Sequence, residues 1–230
     1  MPPQDDDVRE SQQSVGNLFD EIPTVRNHRR IYRLANLLRD DQFLAELELD
    51  ALGEQELKEL LSATGYETSP EELCDAPFRQ KRRLKRKTRY SDGSYLVFYS
   101  ALDPTTAEVE VAYWFRKSFA GRPQGQRSAY YRCFTCLFEG KEKDLRGKQS
   151  EWPELVHDSD YTFCNRIGAE AVRLELDGLV VPSARQENGS NLPVFKRSAI
   201  RDPEAQSLVK ITLDPQTGEI ATASESVENT

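Results

Sequence analysis

Histidine, cysteine and methionine are all scarce in this chain, at two, four and one among 230 residues. Four cysteines are too few for the disulfide framework of a small secreted scaffold, so a reducing, cytoplasmic setting is the expectation. A structural zinc ion wants four ligands, mostly cysteine and histidine. The single pair with ligand-like spacing is Cys133-x-x-Cys136; a zinc site would want a second such pair or histidines, and His28 and His157 are the only two histidines. That pair sits in SAYYRCFTCLFEG, which alternates like a strand, and strand residues three apart face opposite sides. Two packed cysteines and no metal are therefore expected. Three further signals are missing. No apolar run approaches the roughly 18–20 residues of a membrane helix. No basic stretch followed by an apolar one lies behind Met1, as a secretory signal would require. No Gly-x-Gly-x-x-Gly loop follows a strand, so a Rossmann-type dinucleotide site is not indicated.

Positive charge is also in deficit: 31 Lys and Arg face 39 Asp and Glu, a net charge of −8. The isoelectric point near 5.0 argues against general affinity for nucleic acid. One segment contradicts the average. Residues 79–89 read RQKRRLKRKTR, eight basic in eleven, so the rest of the chain carries about −16. A solvated basic face, a phosphate-holding patch and a nucleic-acid patch are all open readings of that run. The last is weakened because no aromatic residues interleave the cations, as a single-strand groove would want.

The apolar content of 37% is low beside 30% charged residues, which suggests that part of the length is not packed. Residues 1–15 and the final ATASESVENT are polar and read as disordered tails. The length suits one domain with an appendage. Residues 16–75 read as a helical N-terminal region, with Ile31, Leu34, Leu37, Leu38, Phe43 and Leu44 near a 3.6-residue period. A second helix, EQELKELLSAT, closes at Gly65, and Ser69-Pro70-Glu71-Glu72 opens another with a capping box. From 76 to 213 the chain alternates strands and short helices. YLVFYSA is a β run, and Asp103-Pro104 opens a helix running through Trp114. YTFCNRIGAEAVRLEL is a helix, and GLVVPSA and LPVF are buried strands. SLVKITLDPQTGEIATA has hairpin spacing, which places a hairpin strand and tail in 214–230. Without regular βαβ spacing, the expected class is α+β.

Three stretches, in order, resemble the RES family, named for Arg, Glu and Ser residues and known as toxins of bacterial toxin–antitoxin pairs. They are PFRQKRRLKRKTRYSDGSYLVFYSA, DPTTAEVEVAYW and YTFCNRIGAEAVRLELDGLVVPSARQENGSNLPVF. Together they span roughly 77–200. The chain departs from the family in its short, lysine-rich segment between the two arginine motifs, and in Gln80, where relatives carry an aromatic residue. The resemblance implies a compact mixed sheet with flanking helices, similar to ADP-ribosyltransferase-like folds, and breakage of the nicotinamide–ribose bond of NAD⁺. NAD⁺ is then a substrate, and no prosthetic group is implied. It also implies an Xre-like antitoxin partner; a homodimer is left open.

Carried over by position, the resemblance marks Arg79 and the pair Arg89-Tyr90, with Tyr99 as the strand tyrosine. Glu110 is its acidic residue, Ser183 its serine, and Thr162 its helix-opening hydroxyl. The residue types suit the reaction. A carboxylate stabilises the oxocarbenium-like sugar formed when the bond breaks. Periodicity alone does not choose between Glu110, with Ala107, Tyr113 and Trp114, and Glu108, with Ala112 and Phe115; the family pattern selects Glu110. Arginines supply multidentate donors for phosphates. Tyr90 and Tyr99 serve either as ligand contacts or as core tyrosines with one satisfied hydroxyl. Ser183 is a ligand hydroxyl or a strand-end cap, since neither histidine lies where a serine nucleophile would need its base. Thr162 is a ligand contact or simply a helix cap. Hydrolysis to nicotinamide and ADP-ribose, transfer of ADP-ribose to a protein, and a non-enzymatic nucleic-acid or partner-binding module built on residues 79–89 are the three functions that follow.

Overall fold

The alternation of SAYYRCFTCLFEG belongs to an 18-residue strand, β3 (Arg127–Asp144), on which the rest of the sheet is organised. The computed structural model of the chain describes residues 15–36, 69–79, 87–119, 127–214 and 216–226. Along one edge of β3 runs β1 (Val25–Asn36), antiparallel, from Val25↔Glu142 to Asn36↔Tyr131. Along its other edge run β6 (Ile200–Leu213), antiparallel, and then β4 (Gly178–Pro182), parallel over Glu142–Asp144. Strand β5 (Ser190–Val194) pairs with both β4 and β2 (Phe98–Ala101), and Tyr32↔Ala101 joins β2 back to β1. Strands β1, β2, β5, β4 and β3 thus form a closed ring of pairings. The edge strand β7 (Ile220–Ser226) extends β6.

Each strand of the ring sends side chains inward, which follows from the two-residue period. Ile31, Phe98, Phe134, Cys136, Phe138, Val180, Leu192 and Val194 form one buried cluster. Helix α2 (Pro70–Arg79) closes it with Leu73 and Cys74. Each Ile, Leu, Val or Phe among them contributes about 1.5–3 kcal/mol relative to exposure. The expected capping box holds α2 in place. The Ser69 amide donates to the Glu72 carboxylate at 3.1 Å, and the Glu72 amide to the Ser69 hydroxyl at 3.2 Å. Outside the ring, helix α3 (Pro104–Ser118) packs Ala107 and Phe115 against Leu34, Ala101 and Val209. Helix α4 (Thr162–Arg173) and a short helix α1 over 15–21 share a third cluster, with Leu18, Ile167 and Leu179. The buried Lys143 ammonium donates to the carbonyls of Phe19, at 2.7 Å, and Ile22. A cation at a helix C-terminus suits both the orphan carbonyls and the dipole there.

This is the expected α+β class, a mixed sheet with flanking helices, and two local expectations are corrected. Residues 25–36 are strand, not helix. Ile31 and Leu34 are three apart because β1 is buried on both sides, Ile31 in the ring interior and Leu34 under α3. Two-sided burial thereby imitates a helical stripe. Residues 221–226 are not a disordered tail but part of β7, paired from Leu213↔Ile220 to Ser207↔Ser226. A backbone ladder holds an edge strand whose side chains stay in solvent. Residues 37–68 lie outside the described part, and with them the expected second helix. The hairpin at Asp214 forms as read, with Gly218 at a positive φ of 71°. Cys133 and Cys136 fall in separate clusters on opposite faces of β3. No helix among the described residues is long and apolar enough to cross a membrane.

Candidate active site

Helix α3 starts at a rigid N-cap: Asp103 accepts from the Thr106 amide at 2.8 Å and from its hydroxyl at 2.7 Å. Pro104 sets the first turn. The β4–β5 loop packs close against this start. A Cβ on Gly189 would lie 2.6 Å from the Thr106 hydroxyl oxygen, so only glycine lets the loop approach. The result is that Glu110, two turns into α3, meets the ends of both ring strands. Its Oε1 accepts from the Ser183 hydroxyl at 2.7 Å and from the Asn191 amide at 2.6 Å. The Ser183 oxygen in turn accepts from the amides of Arg185 and Gln186, each at 3.1 Å, so its one proton goes to the carboxylate. Among the described residues Oε2 has no hydrogen-bond partner.

Glu110 borders a cavity of about 280 Å³ whose walls include Arg33, Arg89, Tyr99, Trp114, Arg185 and Asn191. Glu108 points instead into a separate open groove beside Arg116 and Ile220. Geometry thus separates the two carboxylates that periodicity leaves equivalent. Arg89 donates to the carbonyls of Leu155 at 3.3 Å and His157 at 2.9 Å, with Tyr161 stacked 4.5 Å away. Arg185 has a side chain only 6% exposed, ion-paired with Asp158 and lying 3.6 Å over the Tyr113 ring. It also donates to the Asp158 carbonyl at 2.6 Å. The two arginines together pin the segment 155–161 beside the cavity.

The Tyr99 hydroxyl lies 2.6 Å from that of Thr88 and accepts from the Tyr90 amide at 3.0 Å. Burial pushes its phenol up to about 12, so it stays protonated as a hydrogen-bonding group. Tyr90 borders the cavity but is otherwise a core residue, and its hydroxyl has no hydrogen-bond partner among the described residues. It is 2% exposed, packed with Leu155, Cys164 and Ile167, and burial drives its phenol well above the usual range. Thr162 opens α4 but is exposed and outside the cavity wall; its amide is capped by Asp160 at 2.9 Å. Arg79 also lies outside it, at the end of α2, 70% exposed and paired with Asp75. Arg33, Trp114, Arg185 and Asn191 enter the wall without having been singled out. Arg33 was hidden in the segment read as helix. Arg185 and Asn191 stand in the Pro-Ser-Ala-Arg and Asn-Leu stretches already marked, two residues after and eight after Ser183.

A closed ring of strands, with a clamped carboxylate beside an arginine-lined cavity, defines this α+β domain. The RES domain profile matches residues 65–214, and the chain belongs to that family. Its fold is similar to a chain of the M. tuberculosis MbcT–MbcA toxin–antitoxin complex, at 17% identity and a TM-score of 0.50, over 90% of this chain and 94% of the other. No curated protein matches.

Proposed function

We propose that this chain is the toxin of a toxin–antitoxin pair and that it consumes NAD⁺ by cleaving the nicotinamide–ribose bond. The observation that carries the reading is the carboxylate of Glu110, fixed by Ser183 and Asn191 through one oxygen with the other left to a ligand. In the reaction the C1′–N bond breaks, and its electron pair leaves with nicotinamide, which departs neutral. The sugar becomes oxocarbenium-like, and Oε2 of Glu110 stabilises it or its 2′-hydroxyl. Water then adds at C1′ and loses a proton, giving ADP-ribose. Because the carboxylate is already held in place, little reorganisation is needed when charge develops. Arg89 supplies a cation to the phosphates and Tyr99 keeps the Thr88–Tyr90 turn that carries Arg89 in place. Arg79, outside the cavity, has no part in this scheme.

Family membership supports the toxin reading, and the similar chain comes from a toxin–antitoxin complex. An Xre-like antitoxin is the partner this implies. The test is NAD⁺ concentration over time with wild-type protein and Glu110→Ala. A loss of a hundredfold or more in the variant is the expected scale for such a group. NAD⁺ left intact by the wild type refutes the reading. Free ADP-ribose among the products marks hydrolysis, and label carried onto a protein marks transfer.

A further inference from the structure

The cavity beside Glu110, at about 280 Å³, falls just below the roughly 300–1,000 Å³ usual for sites that enclose a ligand. It suits a nicotinamide–ribose half and leaves the adenylate half outside. At its wall stands Trp114, 47% exposed, the one aromatic among the exposed large apolar side chains of the described residues. Leaving an indole in water is unfavourable unless it meets something. Its neighbours hold the ring: Tyr113 at 5.4 Å and Tyr161 at 6.5 Å are both edge-on, and the Lys117 ammonium lies over it, 5.1 Å from the centroid. Arg185 borders the same cavity, nearly buried, and its guanidinium rests on Tyr113. Its present anionic partner, the Asp158 carboxylate, is itself 70% exposed, and a phosphate is a stronger partner for a guanidinium.

Resting on the NAD⁺ reading above, we infer that Trp114 and Arg185 form an outer subsite for the adenosine diphosphate part of the substrate, the indole stacking on the purine and the guanidinium holding phosphate. This subsite would make the protein select a dinucleotide over nicotinamide mononucleotide, which offers the same scissile bond without the second base.

Two measurements on the full chain test it. The first is kcat/KM for NAD⁺ relative to nicotinamide mononucleotide. Trp114→Ala is expected to lower that ratio roughly five- to 150-fold, the range for loss of one base–aromatic stack, and Trp114→Phe to restore most of it. An unchanged ratio in Trp114→Ala overturns the inference. The second is calorimetric titration with ADP, which carries no scissile bond. Binding by the wild type that weakens at least fivefold in Trp114→Ala supports the subsite even if NAD⁺ is never cleaved, in which case only the catalytic reading falls. Failure of the wild type to bind ADP, or equal binding by both proteins, overturns the subsite itself.

Discussion

Two donors converge on one oxygen of Glu110, so replacing Asn191 by alanine takes away one of them and leaves the other. The lost contact is a 2.6 Å amide-to-carboxylate hydrogen bond. Bonds of this charged kind contribute about 1.5–3 kcal/mol, which corresponds to roughly 10- to 150-fold in rate. Asn191 is a positioning residue, since it acts through Glu110. Its loss should therefore appear in kcat more than in KM, the pattern of an interaction realised at the transition state. Steady-state NAD⁺ turnover is the assay, with melting temperature followed in parallel to detect loss of fold. The decisive comparison is a cycle with Glu110→Gln. Once the carboxylate is gone, Asn191→Ala should change kcat by no more than about twofold, because residues acting as a unit are not additive. An equal loss in both backgrounds refutes the positioning role. Ser183→Ala should follow the same pattern, since its proton serves the same oxygen.

Further expectations concern stability. In Gly168→Ala the new Cβ would lie 2.2 Å from the Tyr90 carbonyl oxygen and 2.7 Å from the Tyr95 hydroxyl. A loss of about 1–3 kcal/mol is expected from such overpacking, read by denaturant unfolding; an unchanged midpoint would contradict the close approach of α4. Lys143→Met removes the donor to the Phe19 and Ile22 carbonyls. Hydrogen exchange should then accelerate over 15–22 before it does in β3, and uniform protection would count against the pin. Hydrogen bonding to Arg197, with further help from Arg79, holds the Asp75 carboxyl below its ordinary 3.8. A lowered folded-state value contributes stability above the unfolded value that is lost as pH falls through the folded one. Melting temperature should therefore drop below about pH 3.8 less steeply in Asp75→Asn than in wild type. Parallel acid limbs would remove Asp75 from the account.

The middle and end of the fold were readable because local signals agreed there with tertiary placement. Asp103-Pro104 caps α3, Ser69 to Glu72 makes a capping box, and Asp214 to Gly218 closes a hairpin. The start was misread because β1 buries both faces, and no single-chain pattern reveals that its partner is a strand a hundred residues later. The edge strand β7 carries almost no apolar signal, since its ladder is backbone. For the site, the motifs mark Glu110 and Ser183, and the geometry brings the two side chains into contact. Arg79 and Thr162 matched motifs equally well yet sit outside the cavity, because sequence order does not say which way a helix end faces. Arg33 joins the wall only through the fold, and its motif-free segment offered no signal.

A ring of strands behaves like a hoop rather than a ribbon. In an open sheet two neighbouring strands can splay by sliding at a free margin, but β4 and β5 are each tied onward until the circuit returns to β3. Ser183 and Asn191 stand at the rim of that hoop, one just past β4 and one within β5. To part them the β4–β5 pairing must break while β3 still holds one strand and β2 the other. The spacing of the two donors that grip Glu110 is thus set by the β4–β5 ladder, and the rest of the circuit holds that ladder from both sides, so sequence changes on its far side should reach the carboxylate only by deforming the whole circuit.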